Sequence, residues 1–591
     1  MIKRKILIFL SLISLQITLL AQFEGDKWVI GYTGKGSHDY SVMHLNFSKL
    51  KMKIEWHFFE DLSIAETCSN ICNANGDAIL WTNGMQIFGI HGSHITDTIA
   101  YFNNGSGYWN NFFLDDYGAL GFPEHDGALI LPIPEHLNEY LVLYHSSEMH
   151  PTNIYQISEY LSARVYYDES GGYNLMYKDS LIGPKHKWFT GSVNATRHAN
   201  GRDWWIEAFE EDSPRYYSFL LNPDGISLDH TGEVDIPILE GVGDNSFSSH
   251  GNYFARMDAN STIYGQNVTL YSFDRCSGDF NRIATINNPE AGFFTGVSFS
   301  PSEQYLYADN NSHLWQWDLK AQDIAASQTL VDTFDGFIQP GWFGMYFGPL
   351  IEASDGRIYI VPPAGSSEFM HVIDRPDLPA AECRFKQHYI NLTKPNGRSA
   401  PNLPNYRLGP IDGSPCDTLG LNNLPIARWR REPDQSGFPQ FIRFTDLSYF
   451  DPHMWHWDFG DGSASNTPSP LHTFEPGLYK VCLTVSNDYA SDSTCQWIEI
   501  LPTSVQEVEN KNTPDISILP NPFTDQLIIE SESGTFRSAE IQLYDIHGRI
   551  VFNHELLIPS KIFLPDFPPG VYLCTIKDDD GSVRSVKLMK E

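Results

Sequence analysis

The chain has 591 residues, of which 41% are hydrophobic and 14% aromatic, and it carries a formal net charge of −34 at pH 7. This length exceeds what one hydrophobic core supports, so the sequence predicts two to four domains. The high aromatic content, with frequent Gly and Pro, predicts an all-β protein. A surface this acidic repels phosphate backbones and anionic lipid, so we expect no nucleic acid partner.

The first 21 residues have the pattern of a secretory signal peptide. Lys3, Arg4 and Lys5 precede an apolar run from Ile6 to Leu15, and Ala21 is the expected cleavage point. The alternative is a membrane helix anchored at the start of the chain. The apolar run is too short to span a bilayer and no later segment reaches 18 apolar residues, so we expect an exported protein that is not integral to a membrane.

A repeat with a period near 50 residues runs through the first two-thirds of the chain. Each unit has a short polar turn before an apolar or aromatic strand, and the turns align at Gly201, Gly251, Glu303 and Gly356. With less regular units upstream, seven fit between residues 23 and 410. Several strands in a unit of this length are typical of a β-propeller blade, which covers its faces by stacking on its neighbours. We therefore predict a seven-bladed β-propeller over residues 23–410, with a pair of β-sandwiches as the alternative.

Several segments of the repeat carry a family resemblance. They include RHANGRDWW from Arg197, SFDRCSG from Ser272, DGRIYI from Asp355 and NLPNYRLGP from Asn402. With these segments the region resembles a propeller-like domain common in exported proteins of Bacteroidota. The resemblance implies a fold and no chemistry.

The stretch WHWDFGDGS begins at Trp455 and predicts a strand that ends in a tight turn. Trp455, Trp457 and Phe459 alternate with polar residues, so they would share one face of a sheet. The strand is then broken by two glycines that tolerate positive φ, Gly460 and Gly462, and the carboxylate of Asp461 between them can accept backbone N–H groups in the turn. The alternatives for Asp458 and Asp461 are a metal pair or an acid/base pair, but a glycosidase needs two carboxylates that face each other across a substrate.

Downstream, HTF and PGLYKVCLTVSN continue the period of two and predict an antiparallel β-sandwich over residues 425–501. Together with WDFGDGS, these motifs resemble the PKD domain, an immunoglobulin-like module. In that family the aspartate-glycine segment is a structural turn, so the resemblance implies that Asp458 and Asp461 form the turn. It also implies a spacer or an interaction module.

A polar linker is predicted over residues 503–514, followed by a small C-terminal β-sandwich over residues 515–591. Its motifs are PNPF from Pro520, LYD from Leu543, PGVY from Pro569 and VKL from Val586. They resemble the type A sorting domain of the type IX secretion system. The resemblance implies passage across the outer membrane with that secretion machinery as partner, followed by release or attachment at the cell surface.

Eight cysteines in an exported chain predict disulfides. Cys482 and Cys495 flank two adjacent strand-like runs, so we predict a cross-strand bond. Cys68 and Cys72 are close in sequence, and we predict a local bridge. The partners of Cys276, Cys383 and Cys416 stay open, and Cys574 is expected to be a buried thiol.

Three groups of polar residues are candidate chemical sites. His91 and His94 lack a third zinc ligand nearby. Glu124, His125 and Asp126 either line a loop site or are solvated, and Arg197, His198 and Asp203 lie in a repeat turn where bonds to the backbone are expected. The sequence contains no HExxH, GxSxG, Walker or dinucleotide motif, so we predict no cofactor, no metal and no catalytic residue.

The sequence therefore predicts a secreted or cell-surface binding protein whose propeller engages an extracellular protein or glycan. The alternative is a secreted hydrolase or lyase that acts on extracellular polysaccharide or protein. Propellers host both classes. Clustered carboxylates or histidines at the channel mouth would favour the enzyme, and an aromatic or plain polar rim would favour the binding protein.

Overall fold

The computed structural model describes residues 25–32, 41–47, 52–58, 64, 66–73, 75–93, 95, 102–103, 122, 125–149, 155–168, 172–188, 193–235, 244–259, 266–288, 295–339, 344–435, 438–501, 516–519, 523–531, 537–545, 549–558, 560–564, 567–578 and 583–590. The predicted signal peptide and linker lie outside these residues. Within them the protein is all-β, and its helical structure is limited to two 3-10 turns, Ile90–Gly92 and Ala325–Ser327. No described helix is long and apolar enough to cross a membrane.

Seven sheets, numbered here in chain order, lie between Lys27 and Pro401 in the described residues. Sheet 1 consists of β1 (Lys27–Tyr32), β2 (Ser41–Asn46) and β3 (Lys53–His57). Sheet 2 consists of β4 (Thr67–Cys72), β5 (Ala78–Thr82) and β6 (Ile87–Gly89), with β28 (Ala400–Pro401) added in parallel beside β4. Sheet 3 consists of β7 (Phe102–Asn103), β8 (Ala128–Pro132), β9 (Glu139–Met149), β10 (Tyr155–Tyr167) and β11 (Tyr173–Leu181).

Sheets 4 to 7 share one plan, in which four consecutive strands pair antiparallel in chain order. Sheet 4 consists of β12 (Asn194–Arg197), β13 (Trp204–Phe209), β14 (Arg215–Asn222) and β15 (Gly225–Glu233). Sheet 5 consists of β16 (Asn245–Phe247), β17 (Tyr253–Ala259), β18 (Gln266–Asp274) and β19 (Asp279–Asn288). Sheet 6 consists of β20 (Val297–Phe299), β21 (Tyr305–Asp309), β22 (His313–Asp318) and β23 (Thr329–Thr333), and sheet 7 of β24 (Leu350–Glu352), β25 (Ile358–Ile360), β26 (Ser367–Ile373) and β27 (Phe385–Asn396).

The four aligned turn positions of the repeat lie between the first and second strands of sheets 4 to 7. Gly201, Gly251, Glu303 and Gly356 have φ values of 75°, 71°, 55° and 72°. Each donates its backbone N–H to the carbonyl three residues earlier, at 2.8–3.0 Å. One sheet therefore corresponds to one unit of the sequence period.

Of these four turn residues, Glu303 is the one that is not glycine, and a positive φ is unfavourable for a residue with a Cβ. Its Oε1 accepts the backbone N–H of His250 at 2.9 Å, and its Oε2 accepts Nδ2 of Asn252 at 3.0 Å. Burial raises the pKa of Glu303, but hydrogen bonds to His250 and other turn residues outweigh it and lower the pKa to about 2. The carboxylate thus ties its own turn to the turn of the preceding sheet.

Apolar clusters pack each sheet against its neighbours. One cluster joins sheets 2, 3 and 4, and others join sheets 4 and 5, 5 and 6, and 6 and 7. A further cluster combines sheets 1, 2 and 7, and in it the ring of Trp28 lies 5.6 Å from that of Tyr359. The first sheet is therefore packed against the last one, and removal of apolar surface from water stabilises this arrangement.

Four more sheets follow. Sheet 8 consists of β29 (Trp429–Gln435), β30 (Phe438–Asp446) and β33 (Leu471–Thr473), and sheet 9 of β31 (Met454–Asp458), β32 (Ala464–Ser465), β34 (Gly477–Ser486) and β35 (Ser491–Ile500). Sheet 10 consists of β36 (Ile516–Leu519), β37 (Gln526–Ser531) and β40 (Ser560–Phe563), and sheet 11 of β38 (Arg537–Tyr544), β39 (Ile550–Ile558), β41 (Gly570–Asp578) and β42 (Val583–Lys590).

The alternation predicted for sheet 9 is present in the structure. Val481 and Leu483 are buried, whereas Leu478 and Lys480 on the same strand are exposed. Trp457 and Phe459 are also buried. In sheets 10 and 11, the motif residues Phe523 and Tyr572 belong to the apolar core, which explains why an aromatic residue stands at each position.

The cysteines differ in part from the expectation. Cys482 and Cys495 are joined by a disulfide, and a second disulfide joins Cys276 to Cys416, whose partners the sequence left open. The predicted bridge between Cys68 and Cys72 is wrong, because both are buried thiols in strand β4. Four residues of extended strand separate their Cα atoms by about 13 Å, and a disulfide spans at most about 7 Å. Cys383 and Cys574 are likewise buried thiols.

Candidate functional site at the ends of the first strands

The segment that follows sheet 7 runs beside the first strands of the earlier sheets, and we call residues 398–410 the central segment. It bonds to residues in or next to the first strands of sheets 2, 4 and 5. In sheet 3 it bonds to β8, the first strand of the antiparallel part of that sheet, which is counted with the first strands below. Asn402 N donates to Cys68 O (2.9 Å), the Tyr406 hydroxyl to Ile130 O (2.8 Å), Asn402 Nδ2 to Val193 O (2.6 Å) and Asn405 Nδ2 to Ser249 O (2.5 Å). One short stretch of chain therefore connects four consecutive sheets.

The central segment ends at the turns that close the first strands. Gly409 O accepts Nη2 of Arg275 at 2.7 Å, and Arg275 Nε donates to Arg197 O at 2.7 Å. A Cβ at Gly201 would lie 2.5 Å from the backbone nitrogen of Pro410. Glycine is therefore required at this position by the close approach as well as by the positive φ. These contacts place the end of the central segment over the turn end of sheets 4 and 5.

The opposite ends of the first strands carry an acidic cluster. Asp126, just before β8, is hydrogen-bonded to Asp244, just before β16. Burial raises the pKa of Asp244 to about 6, although its hydrogen bonds act in the other direction. Two neighbouring carboxyl groups of this kind share one proton as the pH falls to about 6.

Backbone groups fix the carboxylates of the cluster. Asp244 accepts the N–H groups of Asn245 (2.9 Å) and Val297 (3.1 Å). Asp309, at the end of β21, accepts those of Gly296 (2.7 Å) and Asn311 (2.7 Å). Burial raises the pKa of Asp309 well above its usual range. All four carboxylate oxygens therefore accept main-chain N–H groups, three of them at the starts of β16 and β20 and one in the turn between β21 and β22.

His125 and an ion pair complete this end. Burial lowers the pKa of His125 to about 3, so its imidazole is neutral at ordinary pH. Arg398, the first residue of the central segment, pairs with Glu66 just before β4. The cluster offers hydrogen-bond donors and acceptors for hydroxyl or amine groups. The described residues contain no set of three His, Cys, Asp or Glu side chains placed to hold a metal.

The three candidate groups of polar residues lie in different places in the structure. His125 and Asp126 lie in the cluster, and His125 is 5% exposed, so solvation does not explain it. Glu124 and His94 lie outside the described residues, and His91 belongs to the 3-10 turn after β6.

The third group bonds mainly within its own turn, and Arg197 also donates to Tyr406 O of the central segment. Arg197 stacks on the Trp204 ring at 3.7 Å and donates to Arg202 O. Asp203 binds the Asn200 side chain, and His198 accepts the N–H of Asn200. These side chains hold the turn, as expected.

Sequence reasoning missed Asp244, Asp309 and Glu66. Asp244 and Glu66 each stand immediately before or close to a first strand of a sheet. An acidic residue at that position of the repeat is the signal that could have identified two of them.

The turn aspartates of sheet 9 bond as the sequence predicts for a turn. Asp458 Oδ1 accepts the N–H of Gly460, and Asp461 Oδ1 accepts that of Ser463, both at 2.9 Å. Asp461 Oδ2 lies 2.7 Å from Nε2 of His472. Burial raises the pKa of Asp461, but the bonds from Ser463 and His472 outweigh it and lower the pKa to about 2.

Two family models match parts of the chain. Residues 425–500 match the PKD domain, and residues 517–591 match the secretion system C-terminal sorting domain. The chain is therefore an exported multidomain protein that reaches the cell surface or the medium. No curated protein matches the chain.

Solved structures with similar parts include the PKD1 domain of a Vibrio cholerae metalloprotease, with 27% identity over 13% of this chain and 99% of that one and a TM-score of 0.12. A Lactobacillus plantarum protein has 11% identity over 64% of this chain and 98% of its own, with a TM-score of 0.37. The Pseudomonas aeruginosa periplasmic gluconolactonase has 13% identity over 63% and 99%, with a TM-score of 0.23. These scores carry no argument about activity or ligand.

Proposed function

We propose that this exported chain is a binding protein whose repeat region, residues 23–410, forms a closed seven-bladed propeller. Seven consecutive sheets, each packed on its neighbours, and the apolar cluster that combines sheets 1, 2 and 7 support closure. Addition of β28 beside β4 brings the end of the region back to its beginning. Residues 425–501 act as a spacer or interaction module, and residues 515–591 as the sorting module.

The position of the central segment is the observation that supports the location of the ligand site. It covers the turn end of the first strands, so a ligand engages the opposite end, where Glu66, Asp126 and Asp244 lie. The ligand is an extracellular protein or glycan that presents amine or hydroxyl groups to the carboxyl of Asp126, which is half-buried, whereas Glu66 and Asp244 are buried. Binding takes precedence over catalysis because backbone N–H groups hold every oxygen of Asp244 and Asp309.

The test is a binding screen of the intact mature protein against immobilised extracellular proteins and glycans. Asp126→Asn should weaken capture of any ligand found by about tenfold or more, because a charged hydrogen bond contributes about 1.5–3 kcal/mol. Asp77→Asn is the matched control, since Asp77 is 65% exposed and lies in the turn before β5. Equal capture by Asp126→Asn and the native protein would place the ligand elsewhere.

The Asp126–Asp244 pair favours a second candidate, a hydrolase of extracellular polysaccharide or protein. A carboxyl group with a pKa near 6 can act as a general acid close to neutral pH. In that case the protein should cleave a member of the same panel with an apparent pKa near 6 in its rate profile, and Asp244→Asn should abolish turnover. A flat rate profile, or turnover that survives Asp244→Asn, would remove this candidate.

A further inference from the structure

The outer face of strands β34 and β35 exposes a tryptophan. Trp497 is 63% exposed, and every other tryptophan in the described residues is buried or half-buried. Leu478 on the neighbouring strand is 64% exposed. Indole rings are ordinarily among the more buried side chains, and an exposed apolar patch commonly marks a contact surface.

The disulfide gives the register of this face. Cys482 and Cys495 have Cα atoms 4.1 Å apart, which is the spacing of directly opposite residues in an antiparallel pair. Side chains alternate along each strand, so Lys480 lies opposite Trp497 and Leu478 lies opposite Glu499. All four are exposed. We call Leu478, Lys480, Trp497 and Glu499 the tryptophan face.

The chemistry of the tryptophan face suits a sugar ring. The C–H face of a pyranose can pack on an indole ring through dispersion and loss of water contact. Lys480 can donate to sugar hydroxyls and Glu499 can accept from them. The face contains one charge of each sign and is locally neutral, whereas the chain carries a net charge of −34 and repels polyanions.

We propose that the tryptophan face binds a neutral polysaccharide outside the cell. This site lies on a different module from the acidic cluster and does not depend on it. An exported protein that holds a glycan here would keep its repeat region close to a polysaccharide surface.

The test is affinity electrophoresis of the full mature protein in native gels cast with mixed-linkage β-glucan, xyloglucan or galactomannan. We expect retardation by at least one of them. Trp497→Ala should weaken it about tenfold or more, because the indole face is lost. Trp497→Tyr should retain most of it, since a flat aromatic ring remains.

Tyr489→Ala is the matched control, because Tyr489 is an exposed aromatic residue of the same family match, outside the tryptophan face. It should migrate like the native protein. Absence of retardation in every gel would overturn the proposal, as would equal retardation of Trp497→Ala and the native protein. A gel cast with the polyanion polygalacturonate is run beside the neutral ones, and retardation in that gel alone would contradict the charge argument. A dimer in sedimentation that Trp497→Ala dissolves would overturn the proposal and assign the face to self-association.

Discussion

The repeat region and the sheet 9 module bury different kinds of residue. In residues 456–483, every buried residue that the structure describes is apolar or aromatic. The repeat region instead buries ionisable groups such as Asp26, Glu207, Arg256 and Asp309. Asp26 pairs with Arg407, and the two are 381 positions apart in the chain. The module is thus held by an apolar core with local turn bonds, and the repeat region adds polar ties between distant parts of the chain.

This difference predicts unequal costs for the two disulfides. The bond between Cys276 and Cys416 closes a separation of 140 residues, and that between Cys482 and Cys495 closes 13. On the chain-entropy model, removal should lower the free energy of unfolding by about 5 and about 3 kcal/mol. Denaturant unfolding of the two double-alanine variants measures both, and a larger loss at the shorter loop would break the comparison.

Asp26→Asn should come next in cost. Asp26 is fully buried, and its carboxylate binds Arg407 and Arg428, the latter at 2.7 Å. Removal of one partner from a buried ion pair costs about 3–5 kcal/mol.

Burial raises the pKa of Asp26, but the two arginines outweigh it and lower the pKa. Its contribution is therefore present above the ordinary aspartate pKa and is lost as pH falls through the lowered value. Urea unfolding at several pH values should show both effects. Asp235→Asn is the control, because its exposed pair with Arg282 should be worth less than about 1 kcal/mol. Equal losses for the two variants would contradict the polar-tie argument.

At Glu303, the contribution of side-chain hydrogen bonds to stability can be separated from the cost of the backbone conformation. Glu303→Ala should destabilise the repeat region by about 2 kcal/mol, because the bonds to His250 and Asn252 are lost. Glu303→Gly loses the same bonds, but glycine adopts the positive φ at lower cost, so its loss should be about 1 kcal/mol smaller. Hydrogen exchange of the β16–β17 and β20–β21 turns reports each variant. An order with glycine worse than alanine would show that the strain is unimportant.

The smallest effect is expected in the module with local bonds. Asp461→Ala should cost about 1 kcal/mol, since its turn bonds are exposed and short in range. The folded pKa of about 2 lies below the ordinary value of 3.8, so the contribution is present above about pH 4 and declines towards pH 2. Thermal unfolding of native and variant protein should converge at pH 2. A chelator should change neither melting curve, and a shift confined to the native protein would reveal a bound metal.

The features that the sequence predicted are those encoded locally. The turns at Gly201, Gly251 and Gly356 follow from polar turns before strands, and the buried positions Val481 and Leu483 follow from a period of two. The sequence period also predicted several strands per unit, as sheets 4 to 7 have.

The acidic cluster and the disulfide from Cys276 to Cys416 join residues more than a hundred positions apart. No local pattern marks such a pair. The predicted bridge between Cys68 and Cys72 was wrong for the converse reason. Residues that are close in sequence along an extended strand are too far apart in space for a disulfide.

The central segment also has a consequence for the order of folding. Ser399 bonds to Gly31, which lies 368 positions earlier, and Asn402 bonds to Cys68. Sheets 1 and 2 therefore lack these hydrogen-bond partners until almost the whole repeat region has been exported. Contacts of such long range slow folding and leave early strands unpaired meanwhile. Until the last of these residues has arrived, the first strands of the repeat region keep unpaired edges that can pair with another chain.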